Sequence, residues 1–217
     1  MGRPRGVDDV VILRAAARVM GREGPAGLTL AAVAREVGLV PGTLVQRFGS
    51  KHGLLLALAD QTTADTGELI ERVRRTQDSA LAALSALLVE TMAEMATPES
   101  FARHLAFLCL DLTDPELYER ALAVHRARTR AVEGLLTEAA GAGELRTGTD
   151  VAALARTVQA ITAGAGLTWA LDRDGTLGQR LRQELDAVLS PHLPSPHVPS
   201  RPHAHPGPAR NRRNEES

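Results

Sequence analysis

The chain has 217 residues, 44% hydrophobic but only 2% aromatic, with a formal net charge of −1. That length and apolar content support a real core, and the scarcity of rings means it is built from aliphatic helix faces, so an all-α fold is expected. The single cysteine, Cys109, excludes an internal disulfide; no run approaches the roughly 20 apolar residues of a membrane span and no secretory leader pattern opens the chain, so a cytoplasmic location is expected.

Charge is segregated along the chain. Residues 1–55 carry eight basic and four acidic side chains (net +4), residues 56–193 carry 13 and 20 (net −7), and residues 194–217 carry four and two (net +2). A basic unit on an acidic body suggests a head that binds a polyanion, with chance clustering on a solvated surface as the competing explanation.

In chain order, Asp8 or Asp9 caps a first helix with a face of Val10, Leu13, Ala17 and Met20, and GREGPAG over 21–27 ends it. Thr29 is placed to N-cap a second helix carrying Leu30, Val33, Ala34 and Val37, with Gly38 positioned for a left-handed C-cap. Pro41 suits the first turn of a third helix, where its missing N–H would be unpaired anyway, and Leu44 and Phe48 form the inner stripe. Ser50 caps a fourth helix through Leu54, Leu55 and Leu58, although Gly53 stands where the acid of a capping box would be.

Two short helices joined by a glycine turn, the second nearly free of core duties, are the layout of a helix-turn-helix. Small Ala34 lets the helices approach, and Gly42, Thr43, Gln46 and Arg47 are left facing outward. Arg47 has donors for guanine edges or phosphates and Gln46 has the pair of groups that adenine requires. A plain solvated face is the alternative.

The stretch LTLAAVAREVGLVPGTLVQRFGSKHGLLLAL (28–58), with the preceding ILRAAARVMGREG (12–24), resembles the DNA-binding domain of the tetracycline-repressor (TetR) family of transcriptional regulators. The resemblance spans residues 7–58 and rests on Gly24, Thr29, Ala34, Gly38, Gly42, Thr43, Leu44, Phe48, Lys51 and Leu54. It implies that Thr29, Thr43 and Lys51 touch phosphates, and it places Val40, Pro41, Gly42, Val45, Gln46 and Arg47 on the DNA side. Val40 replaces the family's usual serine before the third helix, Val45 its usual phosphate-binding tyrosine, and His52 an acidic residue. Two polar contacts are thereby missing. Val45 can press on a thymine methyl, which changes sequence preference, and His52 would add positive charge near DNA at low pH.

Beyond the head, helices are expected over 50–76, 78–96, 98–112, 114–140, 150–171 and 176–189. DPELYERAL (114–122) and GELRTGTDVAALARTVQAITAGAGLTWAL (143–171) are similar to family C-terminal domains, whose last two long helices pair with their twofold mates, implying a homodimer. Small residues at Ala160, Ala163, Gly164 and Gly166 permit close helix approach, and Leu181, Leu185, Val188 and Leu189 form an apolar stripe, for which packing inside one chain is the alternative. Side chains that interrupt the aliphatic middle helices are the candidates for an effector pocket: Met92, Met95, His104, Phe107, Cys109, Tyr118, His125, Gln159 and Trp169.

No phosphate loop, HExxH, Gly-x-Ser-x-Gly or Cys/His cluster at ligand spacing is present, so no enzyme activity, cofactor or metal is expected. His192, His197, His203 and His205 belong to a proline-rich segment, and residues 194–217 are read as a disordered tail. The organisation expected is a helix-turn-helix domain over 1–55, an effector and dimerisation domain over 56–193, and the tail. Taken together these features describe a ligand-responsive homodimeric regulator, a repressor on a palindromic operator. The competing reading, motivated by Val40 and Val45, is a small-molecule-binding helical protein or an enzyme on this scaffold without specific DNA binding.

Overall fold

A computed structural model describes residues 7–194, so the tail expected over 194–217 lies outside the described residues except for its first position. Among the described residues there are nine α-helices and no strand. They are α1 (Asp9–Gly27), α2 (Leu30–Glu36), α3 (Pro41–Phe48), α4 (Lys51–Thr76), α5 (Ala80–Thr91), α6 (Pro98–Asp111), α7 (Pro115–Gly141), α8 (Val151–Asp172) and α9 (Leu177–Leu189), followed by one 3-10 turn at Ser190–His192.

The helices begin where a short polar side chain can cover an unpaired backbone N–H. Asp8, Thr29, Ser50, Ser79, Thr97, Asp114, Asp150 and Thr176 each accept from a backbone amide of the first turn. The cap of α5 is Ser79, not the expected Asp78, and α5 stops at Thr91, five residues short of the expected end. Residues 92–95 turn through hydrogen bonds from Ala93 N–H to the Glu90 carbonyl and from Met95 N–H to the Met92 carbonyl. The first helix runs further than GREGPAG suggests: it kinks at Gly24 (φ 70°), and Pro25 opens a last turn to Gly27.

The buried face of α1 is also rotated from the expected one. Ile12, Leu13, Ala15, Ala16 and Val19 are buried, whereas Val10, Ala17 and Met20 are half-buried. Together with Leu28, Val33, Ala34, Leu44, Leu54 and Leu58 they form the core of the head, and Phe107 of α6 completes it from the body. A second core joins Val73 of α4, Leu84 and Leu87 of α5, Val132 and Leu135 of α7, Val158 of α8 and Leu185 of α9. A third gathers Phe101, Ala165, Trp169, Leu177 and Leu181, with Phe101 and Trp169 edge to face at 6.5 Å between ring centroids.

The apolar stripe on α9 is therefore intrachain core: Leu181, Leu185 and Leu189 are buried in their own chain and Val188 is half-buried. Gly166, expected to face a second helix pair, instead receives the Phe101 ring against the α8 backbone. Ala160, Ala163 and Gly164 remain exposed, joined along the same face of α8 by Leu167 and Leu171, which are 49% and 75% exposed.

Two tight passages shape the head. Gly38 ends α2 with φ 68°, a conformation that other residues adopt only under strain, and lets the Leu39 N–H reach the Ala34 carbonyl. At the next turn a Cβ on Gly53 would collide with the Phe48 carbonyl oxygen, so the absence of a capping-box acid has a steric cause. Gly53→Ala is expected to destabilise the protein by about 1–3 kcal/mol, since the α3–α4 turn must open to admit a methyl group. Urea denaturation checks this, and an unchanged midpoint would show that the turn is looser than described.

Candidate nucleic-acid interface and the joint behind it

The outward face of α3 is built from small and polar side chains. Leu44 is fully buried while Pro41, Gly42, Val45, Gln46 and Arg47 are exposed and Thr43 is half-buried. Two valines stand out on this surface: Val40, the N-cap residue that has no side-chain oxygen to offer, is 68% exposed, and Val45 is 50% exposed. Thr29 spends its oxygen accepting from the Ala32 N–H at 3.0 Å, which leaves its hydroxyl proton available to a phosphate.

The basic residues are less free than their number suggests. Arg47 donates to the Asp9 carboxylate at 2.9 Å and to the Val7 carbonyl, tying the exposed helix to the start of α1. Lys51 donates to the Pro25 carbonyl at the α1 kink. Arg18 and Arg22 both meet Glu36, at 3.4 and 3.2 Å. The Arg22 hydrogen bond holds the Glu36 carboxyl below its ordinary range, and hydrogen bonds to Glu23 and Glu36 push the Arg22 guanidinium up. Among the described residues of the head, Arg14 and Arg35 are exposed cations outside any ion pair.

His52 does not turn toward the recognition helix. Its Nε2 lies 3.0 Å from Asp114 Oδ2 and 3.9 Å from Glu116 Oε2, at the start of α7. The Leu117 N–H is the main cause of the depressed Asp114 carboxyl pKa, and the charge of His52 adds to it. Burial and then the nearby Asp114 charge push the Asp111 carboxyl up. Beside this pair lies a cleft of about 530 Å³ bounded by Lys51, Leu55, Leu110, Thr113 and Leu117.

Behind the cleft, head and body are joined along α1 and α6. Arg103 donates to the Gly21 carbonyl at 3.2 Å, His104 packs on Gly21, and Phe107 fills the head core. Of the residues singled out as effector candidates, His104 and Phe107 thus sit at this joint. Met92, Met95 and Trp169 belong to the third core. Cys109, Tyr118 and His125 are exposed, and Gln159 lies between α7 and α8, where its Oε1 accepts from Thr129 at 3.2 Å. The candidates do not form one cluster, and the joint residues Arg103 and Asp114 were not among them.

Two short helices with a glycine turn, the second presenting an open face, on a long helical body have the layout of a helix-turn-helix head. Residues 12–58 match the family model described as bacterial regulatory proteins, tetR family. That match covers the head alone, where the chain is similar to the tetR family. The fold is similar to that of SmeT, the repressor of the Stenotrophomonas maltophilia multidrug efflux pump SmeDEF (TM-score 0.63, 22% identity, covering 87% of this chain and 92% of that one). It is also similar to the transcriptional regulator FadR from Bacillus subtilis in complex with stearoyl-CoA (0.62, 20%, 84% and 98%) and to the ketosteroid transcriptional regulator KstR2 of Mycobacterium tuberculosis (0.60, 16%, 88% and 97%). At these identities the likeness is one of fold. No curated protein matches the chain. Among the described residues no helix is long and apolar enough to cross a membrane.

Because the folded Asp114 carboxyl titrates below its ordinary value of about 3.9, its stabilising share is complete above that pH and is lost as pH falls through the depressed value. Asp114→Asn keeps an N-cap but removes the charge facing His52. Its stability deficit against wild type, followed by urea denaturation, is expected to be present above the ordinary carboxyl pKa and to shrink as the pH falls into acid. A deficit that persists unchanged in acid would assign it to the cap and not to the charge.

Proposed function

We propose that the protein is a ligand-responsive, homodimeric repressor that acts in the cytoplasm, reading a palindromic operator with two copies of α3. The division of labour follows the expected one: residues 1–55 bind DNA, and residues 56–193 bind the effector and the second copy. The observation that carries the DNA reading is the open α3 face, where Val45 and Gln46 project while Leu44 and the half-buried Phe48 anchor the helix in the core. Thr29, Thr43 and Lys51 meet phosphates, Val40, Pro41 and Gly42 let the helix approach the groove, Gln46 reads a base edge and Val45 a thymine methyl. Arg47 serves two partners, since its bond to Asp9 must open before it can reach DNA.

The dimer face is the exposed α8 stripe of Ala160, Ala163, Gly164, Leu167 and Leu171, which no segment of the described chain covers. Among the structures of similar fold, FadR is in complex with stearoyl-CoA and SmeT is the repressor of a multidrug efflux pump. For this chain the body is read as an effector domain by the same architecture. Effector binding there moves α6 and α4 and with them the head, so that one state of the dimer matches successive major grooves and the other does not.

Base and phosphate contacts fail differently when removed, which gives the test. With the DNA flanking its own gene as the operator source, Gln46→Ala is expected to cost about 1–3 kcal/mol on operator and little on scrambled duplex. Lys51→Ala should weaken both equally and reduce the salt slope by about one per half-site. If neither variant differs from wild type, or wild type prefers no palindrome, the chain is a helical ligand-binding protein without specific DNA recognition.

A further inference from the structure

At one level of the body the inward faces of three helices turn from apolar to polar. On α4 the stripe from Leu58 to Val73 is interrupted by Thr62 and the buried Thr66, whose hydroxyls donate to carbonyls of their own helix. On α7 the stripe of Leu117, Val124, Ala131, Val132 and Leu135 is interrupted by Arg128. On α8 Thr162 follows Val158 on the inner face, and Gln159 lies beside them, bonded to Thr129 of α7. The levels coincide: α4 and α7 run side by side, pinned by Asp60–Arg120 at one end and Arg74–Glu138 at the other, and Arg128 falls between the pins about opposite Thr66.

Within this layer two side-chain atoms are buried with no hydrogen-bond partner, Arg128 Nε and Gln159 Nε2. Both are nitrogen donors. No acidic side chain among the described residues pairs with Arg128, and burial holds its guanidinium pKa below the ordinary value. A guanidinium whose Nε is withdrawn from water with no counter-charge beside it is unfavourable, and the effector-domain reading supplies a reason to keep one. The orphaned donors specify the missing partner, which must bring acceptor oxygens and negative charge.

Resting on the effector-domain reading above, we propose that this layer is the head-group subsite for an amphipathic organic acid. Its carboxylate takes the Arg128 fork and the Gln159 amide, and its hydrocarbon tail lies among the apolar side chains on either side of the layer, Val124 and Ala131 on α7 and Val158 on α8. A planar fork matches a carboxylate in two parallel bonds, while a neutral or cationic head group leaves both donors unpaired. The bound acid would bridge α7 and α8 opposite α4, the helix that continues into the head.

Thermal unfolding of the full chain with sodium octanoate tests this, with acetate supplying the acid without the tail and 1-octanol the tail without the acid. Octanoate at a hundredfold excess over its half-saturating concentration is expected to raise Tm by about 5 °C, and the other two to leave it near that of the free protein. Arg128→Met should weaken octanoate at least about tenfold while its ligand-free Tm equals or exceeds that of wild type, because an uncompensated charge has gone. The proposal is overturned if octanoate has no effect on wild type, if octanol stabilises as well as octanoate, or if Arg128→Met either keeps the response or lowers the ligand-free Tm. Operator binding by the same preparation, measured separately, distinguishes failure of this subsite from failure of the regulator reading.

Discussion

The core of the head is completed by a side chain of the body. Phe107 comes from α6, some fifty residues beyond the head, and is buried in the same core as Ile12, Leu54 and Leu58. A buried aromatic ring contributes on the order of 1.5–3 kcal/mol relative to an exposed one, so separating head from body would forfeit much of what holds a small three-helix unit together. The remaining contacts at the joint, Arg103 to Gly21 and His52 to Asp114, add direction to that anchor. Any rearrangement of α6 must therefore be felt by α1, and through α1 by α3, which Arg47 ties to Asp9.

This constraint gives the cations of the head a second role. Arg47 and Lys51 are both held by groups of α1, so the residues most suited to attract DNA also report the position of the first helix. The formal excess of positive charge in residues 1–55 overstates the field offered to a polyanion, because Glu36 meets two arginines and Asp9 a third. On the proposed DNA-binding reading, recognition would lean more on shape and on the exposed valines than in a head with a polar cap residue and a tyrosine at those positions. Val40 and Val45 are too exposed to serve the core, and a thymine methyl is the group in a major groove that would cover such a surface.

Features set by local chemistry were legible in the sequence. Thr29, Gly38, Pro41 and Ser50 occupy the positions read for them because a cap, a left-handed turn and a first-turn proline are determined within a few residues. What depends on distant partners was not. The stripe of Leu181, Leu185 and Leu189 announces burial but not whether the cover is the same chain or another, and here it is the same chain. The face of α1 was misjudged because an alanine-rich helix offers little contrast between its sides. Effector candidates chosen for unusual side-chain type scattered over joint, core and surface, while Arg128 was passed over because an arginine on a charged helix reads as solvated until its neighbours are known.

The central claim, that paired copies of α3 read DNA, is tested most directly by offering the full-length protein a pool of random duplexes and sequencing what it retains. Enrichment of a twofold-symmetric site is predicted, with half-sites about one helical turn apart or a small multiple of it and a thymine favoured where Val45 would meet the groove. Retention without any enriched sequence, or enrichment of a single unpaired half-site, would contradict it.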